Sequence, residues 1–494
     1  MEKRGQFTRR SLLKGAGALA ASAVVSPWPA RAASSEAQPK AVGRDITGEL
    51  SAYMSEAASR QLPSEVEEKA KEHILDTFAA MISGAGLPPA QTALRFIRAY
   101  EGKPVATVVG TSFVCGPIEA ALANGMRAHS DETDDSHSPS HSHPGCSIVS
   151  AALAAGEKFG ISGAHFVRAV TLGYDVGPRV TMTLGGLEYQ MKSHRSDHSI
   201  AGTFGSCAAA GSAASLNAQQ MRWVLDYAAQ QASGIAAWQR DTQHIEKSLV
   251  FGGFPARNGV SAALLIQLGA TGVDDVFFGS DNFFEAFGPN ANPAGLVDGL
   301  GQRYEIARTN IKKWTVGSPI QAPLDALQMI MKQHPFSVKD VREVNVRLAP
   351  SEGRTVNNRD MPDICLQHIV AVMLVNGTVT FRSAHDRQLM HDPAILAARA
   401  KVNLVPDEEL EKLYPKLVAN VEVVLNNGNH YSQRVDAVRG TVANPMSPDE
   451  LAEKARDLIA PSMGKENCDQ LIDAVYHLEN VPDIRKLRPL LQQT

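Results

Sequence analysis

Val344-Asn345-Val346-Arg347-Leu348 alternates apolar and polar residues at every step, the period of a half-buried strand. The chain before it, from 46 to 305, repeats at helical spacing instead. Two further runs, Val418 to Leu425 and His430 to Val438, flank Asn426-Asn427-Gly428, a hairpin signal. Helical segments at Ala322 to Lys332 and Leu366 to Val375 accompany these strands. Residues 306–444 therefore read as a small α/β domain. After Pro445, Ser447-Pro448-Asp449-Glu450 opens helices again, with Ser447 as cap and Pro448 at the first helical position. The tail, 445–494, is expected to fold back onto the helical segment 46–305. The expected fold class is mainly α with an α+β insertion: a large all-helical domain built from both chain ends, plus a smaller α/β domain.

Within 46–305, Ser64 and Glu67 have the spacing of a capping box, and Val66, Ala70, Ile74, Phe78 and Met81 follow on one helical face up to a stop at Gly84. Gly202 to Leu216 is almost entirely small residues, which suits a buried helix packed closely on its neighbours. Asn217 is placed to cap the next helix, with Met221, Val224, Leu225 and Ala228 inward.

The 494 residues are 44% apolar and 20% charged, enough for a large core. A net charge of -4 gives no reason to propose nucleic-acid binding or stable membrane association. The five cysteines (Cys115, Cys146, Cys207, Cys365 and Cys468) form no CxxC pair and support neither a zinc site nor a disulfide framework. At the amino terminus, Arg9-Arg10 with leucines after it, an Ala/Gly-rich run and Ala30-Arg31-Ala32 resemble a twin-arginine signal peptide over 1–32. A linker at 33–45 follows, and the remainder would be periplasmic. No later run reads as a bilayer span.

The chemistry concentrates between His129 and His143. That stretch holds His129, His137, His141 and His143 with Asp131, Glu132, Asp134 and Asp135, framed by apolar runs that shift pKa values. Lys192 to His198, including His194, runs into Gly202-Thr203-Phe204-Gly205, whose amides would offer an anion site if they open a helix. Arg240 to Lys247 carries Asp241, His244 and Glu246 ahead of a glycine-rich turn and Arg257. Lys312-Lys313-Trp314 opens the second domain, and His368 lies on a helix after Pro362-Asp363-Ile364. Neither a nucleotide-binding glycine pattern nor a GxSxG elbow is present. Distributed acids, histidines and lysines suit a small polycarboxylate, held by cations while a base takes a proton beside a carboxylate.

Together, several segments resemble the MmgE/PrpD family, which includes 2-methylcitrate dehydratase, cis-aconitate decarboxylase and iminodisuccinate epimerase. They are His73-Ile74-Leu75-Asp76-Thr77-Phe78-Ala79, Ala123-Asn124-Gly125-Met126-Arg127-Ala128-His129, Asp134-Asp135-Ser136 with His143-Pro144, Gly202-Thr203-Phe204-Gly205, Ala256-Arg257-Asn258-Gly259 and Asn310-Ile311-Lys312-Lys313-Trp314. The resemblance spans about 45–480. It implies an α/β lid inserted in a helical domain and a cofactor-free, homodimeric lyase or isomerase of di- or tricarboxylic acids. The family's acidic D-x-D-D-T loop falls on Glu132, Asp134, Asp135 and Ser136, its His-Pro histidine on His143, and its two lysines on Lys247 and Lys312. The histidine before the small-residue helix matches His198 or His194. Gly317 and Gln321 stand where relatives often carry histidines, and His368 where many carry tyrosine.

The expectation is a cofactor-independent, 2-methylcitrate dehydratase-like lyase performing dehydration or decarboxylation. His143, Asp135, Glu132 and His198 are the catalytic candidates. Ser136, Lys247, Lys312, His368, His194 and Arg257 are the substrate-binding candidates, and no metal is invoked. Alternatives are a two-base epimerase on the same groups, a metal hydrolase using His137, His141, His143 and nearby aspartates, and a non-catalytic polycarboxylate binder.

Overall fold

Every residue of the Asp197–Ala213 helix is buried, because its small side chains let neighbouring helices approach from several sides. Gly205 packs backbone to backbone on Gly173 of the Gly163–Leu184 helix, where an added Cβ would lie 2.7 Å from the Gly173 carbonyl oxygen. The Pro144–Phe159 and Phe254–Gln267 helices pack on the same central helix. Gly202 to Gly205 thus lies inside a helix rather than in a turn. Its amides serve intrahelical bonds, so the anion site expected there is not formed; the helix begins at Asp197 with Ser196 as cap.

The structure, a computed structural model, describes residues 44–493. The leader expected at 1–32 and most of the linker lie outside the described residues. From Asp45 onward the chain forms one unit. One apolar core joins Val66, Ile74, Phe78 and Phe166 to Leu451, Leu458, Leu471 and Val475, so the tail shares its interior with the amino-terminal helices. Lys454 Nζ donates to Asp76 Oδ1 at 2.6 Å within that interior. A second core runs from Trp314 to Val438, and a third lies under the Ile46–Glu56 helix.

The second core backs a four-stranded sheet ordered Val402–Pro406, Val341–Leu348, Ala419–Leu425, His430–Val435. The first pair is parallel, with Val344 opposite Val402, and the other two are antiparallel, with Val346 opposite Val421. Helices Ser318–Gln333 and Leu366–Asn376 cover it. The sequence missed the parallel strand, which is short, and the two-residue strands Ala106–Thr107 and Val114–Cys115.

Capping boxes close on Asn217 with Gln220 and on Ser447 with Glu450. Ser64, by contrast, is the first helical residue and Pro63 holds the cap position without a side-chain bond. The helical run Ile245–Gln267 is long and apolar enough to cross a membrane, against the expectation that no such run follows the leader. Most of it is buried inside the protein, as befits a core helix. All five cysteines are free and buried.

Candidate active site

The acidic loop leaves the Pro117–Ala128 helix at His129 and enters the Pro144–Phe159 helix at its cap residue, His143. Two backbone bonds fasten it to the chain entering the sheet domain: Ser136 N–H donates to the Asn310 carbonyl at 2.9 Å, and Asn310 N–H to that of Ser136 at 2.8 Å. Lys312, two residues on, thereby reaches back to donate from Nζ to the Glu132 carbonyl at 2.7 Å.

The opposite wall is a π-helical turn, Leu249–Gly253, ahead of the Phe254–Gln267 helix. Such turns carry one extra residue and often mark functional positions. A Cβ on either Gly125 or Gly252 would collide with the other's backbone, so the two glycines let the turn press against the Pro117–Ala128 helix. The Phe251 ring then lies 3.9 Å from the His198 centroid, 4.6 Å from His129 and 5.7 Å from His143. Its apolar face strips water from all three imidazoles.

Two carboxylates organise the charge. Glu132 pairs with Lys247 through Oε1, and its Oε2 lies 3.6 Å from Lys312 Nζ. His244 Nε2 is 3.8 Å from the same Oε1. Asp134 faces His129 Nδ1 at 2.9 Å, His143 Nδ1 at 3.2 Å and Lys312 Nζ at 3.9 Å. Burial would raise both acids, but Lys247 and Lys312 outweigh it at Glu132, and His129 and His143 at Asp134, holding each well below its usual range. Burial lowers His143, with Asp134 opposing and Lys312 assisting. It lowers His198 and His244 well below the ordinary histidine value, with neighbouring cations adding to the effect. The cluster therefore combines neutral imidazoles at His143, His198 and His244 with ionised carboxylates and two ammonium groups.

Glu132, His143, His198, Lys247 and Lys312 meet in this one cluster. The other candidates lie elsewhere. Asp135, a catalytic candidate from the sequence, points away from His143 and accepts from Tyr174 Oη at 2.6 Å, His73 Nδ1 at 2.8 Å and Gly145 N–H at 3.0 Å. Asp134 makes the orienting contact instead. Ser136 contributes its backbone pairing with Asn310. His194 is exposed in a left-handed conformation at a helix end, where its main chain bonds Gln190 and Ala236. Arg257 lies over the Phe254 ring and donates to Asn258 Oδ1 at 3.0 Å, outside the cluster. His368 is fully buried in the sheet domain with neither ring nitrogen hydrogen-bonded.

His137 also turns away, to Glu305 Oε2 at 3.2 Å, so His137, His141 and His143 do not converge as the metal-hydrolase alternative required. Among the described residues, three other groupings bring ligand atoms within 4.8 Å: His129–Asp134–His143, His129–Glu132–His244 and His141–Asp197–His198. In the first two, Lys312 or Lys247 already occupies the carboxylate, and an ammonium there competes with any divalent cation.

Sequence reasoning named His244 in the Arg240–Lys247 stretch without giving it a role, and left out Phe251 and His385. A signal existed for His244, three residues before Lys247 on the same segment. His385 has none, lying some 250 residues beyond the loop it touches, where its Nε2 is 2.7 Å from Asp131 Oδ2.

Models of the MmgE/PrpD N-terminal and C-terminal domains match residues 48–295 and 314–478. The chain belongs to the MmgE/PrpD family. It is 26% identical to a cis-aconitate decarboxylase-like protein of Aspergillus oryzae over 90% of this chain and 97% of that protein. The cis-aconitate decarboxylase of Aspergillus terreus is also 26% identical, over 90% of this chain and 96% of its own length. The human cis-aconitate decarboxylase matches at 26% over 87% of this chain and 91% of the relative.

Proposed function

We propose that this MmgE/PrpD protein is a cofactor-independent lyase of a small di- or tricarboxylic acid. The carrying observation is that His143 holds Asp134 through Nδ1, which leaves Nε2 for proton exchange, inside a cluster with two lysines. A neutral imidazole is a base at rest. Once it has taken a proton, Asp134 stabilises the imidazolium, so the same group can return the proton to carbon. Lys247 and Lys312, now on Glu132, would exchange that partner for substrate carboxylates.

Decarboxylation is the first reaction to test, because the relatives above are named cis-aconitate decarboxylases. The C–C bond to the leaving carboxylate would break, releasing CO₂, its electron pair would pass into the neighbouring unsaturated acid, and the proton that His143 has first taken up from solvent would be delivered to carbon. Dehydration of a 2-methylcitrate-like acid uses the same base, and it is the second arm. The test is incubation with cis-aconitate, citrate, 2-methylcitrate and amino-dicarboxylates, followed by proton spectra over time. Formation of a decarboxylated or dehydrated product supports the reading. Deuterium exchange at a stereocentre without loss of CO₂ or water would assign an epimerase instead, and binding without any change would assign a carrier. Export through the twin-arginine route and a homodimeric state belong to the same proposal, tested by cell fractionation and sedimentation.

A further inference from the structure

His385 ends a short helix, Phe381–His385, that straps the sheet domain to the helical body. At its start, Phe381 N–H donates to Asp457 Oδ2 at 2.8 Å on the carboxy-terminal Pro448–Met463 helix, and the Phe381 ring packs on the first core. Midway, Ala384 is buried in the second core. At its end, the His385 ring stacks on Phe381 with centroids 4.2 Å apart, and its Nδ1 faces the Phe381 carbonyl at 2.8 Å. A carbonyl is an acceptor, so Nδ1 carries a proton and the ring is locked. Nε2 is thereby held 2.7 Å from Asp131 Oδ2, an ion-pair contact without the alignment of a hydrogen bond, with Asp363 Oδ2 at 3.8 Å.

Asp131 is fixed from its other side as well. Thr133 N–H donates to Oδ1 at 3.1 Å and Thr133 Oγ1 to Oδ2 at 2.7 Å. Glu132 sits at the middle of this turn. Its carbonyl receives Lys312 and its carboxylate receives Lys247. The direction in which Glu132 presents itself to both lysines is thus set by a three-residue turn whose acidic side chain is clamped between Thr133 and His385.

We propose that His385 is a positioning residue for this site, acting through Asp131 to hold the turn that aims Glu132 at Lys247 and Lys312. The inference rests on the lyase reading of the cluster. A buried ion pair is weak support for stability as such, so its contribution is geometric. The groups facing the ring are Asp131, Asp363 and the Phe381 carbonyl. Burial opposes the charged ring, but the two carboxylates prevail and raise His385 to about 9, so the clamp is charged at neutral pH and released above that value.

Three variants test this: His385→Gln, which keeps an N–H donor and loses the charge, His385→Phe, which loses both, and Asp131→Asn/His385→Gln, which removes both charges. Turnover per folded molecule is expected to fall about 10–100-fold in His385→Phe, as misplacement by an ångström can cost. His385→Gln and the double variant should recover most of it, KM should move less than kcat, and the wild-type loss of activity near pH 9 should be absent from both. A structural role alone would lower the melting temperature and leave kcat per folded molecule and the pH profile unchanged. A loss of activity near pH 9 that persists in His385→Gln and the double variant, even if His385→Phe does not fold, overturns the inference. A wild type that converts none of the acids sinks the lyase reading instead. Calorimetry with citrate then decides the inference: weaker binding in His385→Phe restored in His385→Gln sustains it, and equal affinities in all variants overturn it.

Discussion

Asp134 and Asp135 are consecutive, both fully buried, and face opposite ways. In front, Asp134 meets His129, His143 and Lys312, groups that can gain, lose or exchange charge. Behind, Asp135 meets a phenol, an imidazole and the amide at the start of the Pro144–Phe159 helix. Those partners satisfy its lone pairs and leave nothing for a substrate. In the proposed lyase, one acidic loop therefore serves as reacting face and as fastening, and the direction of each carboxylate decides which. The widest gap between the two faces should come from His143→Ala. Losing an acid–base group typically costs about 10²–10⁴ in rate, and the melting temperature should stay near wild type. Turnover within tenfold of wild type in that variant would remove His143 from the front face.

Asp135→Ala should do the reverse. It strands the Tyr174 hydroxyl, the His73 imidazole and the Gly145 N–H in the interior, at about 1–3 kcal/mol for each unpaired buried group. Thermal unfolding should show a fall of several degrees, with kcat per folded molecule much less affected. Matching losses of turnover and stability in His143→Ala and Asp135→Ala would erase the distinction between the two faces.

Asp134→Asn sharpens the comparison through pH. The Asp134 charge favours the protonated form of His143, while burial and Lys312 favour the neutral form. Dehydration, which begins with proton removal, needs neutral His143 and should fall as pH drops through a value already below the usual histidine range. Removing the carboxylate charge lowers that value further, so the acid limb of kcat/KM should move to lower pH while the plateau falls. A limb shifted upwards would mean that another group carries the proton.

How much of this was legible in the sequence depended on distance along the chain. The strand at Val344 was readable because alternation is local, and Ser447 and Asn217 were readable because a cap and its partner lie three residues apart. Gly202 to Gly205 resembled a turn, yet glycines also serve where helices touch, as Gly205 does against Gly173. The density of charge from 129 to 143 pointed to the candidate cluster. Which of two adjacent aspartates faced inwards depended on a loop held by Asn310, a residue far along the chain. His385 was illegible for the same reason, since nothing near position 385 indicates that Asp131 lies against it.

His368 offers the smallest expected effect and a sign that can be checked. Sequence placed it among the substrate contacts, but the structure seals it in the second domain with both ring nitrogens unpartnered. Burial, with Arg399 nearby, drops it from the ordinary 6.5 to about 4, so the folded protein holds it neutral. Its folded pKa is below its unfolded one. Its contribution to stability is therefore complete above the unfolded value and is lost as pH falls from there towards the folded value. His368→Leu keeps an apolar side chain of similar bulk and removes two unpaired polar atoms. At neutral pH the melting temperature should hold or rise, and between roughly pH 6.5 and 4 it should decline less steeply than in wild type. KM should stay within about twofold, well under the tenfold that 1.4 kcal/mol of lost binding would give. A tenfold rise in KM with an unchanged melting curve would return His368 to the substrate and move the boundary of the site into the second domain.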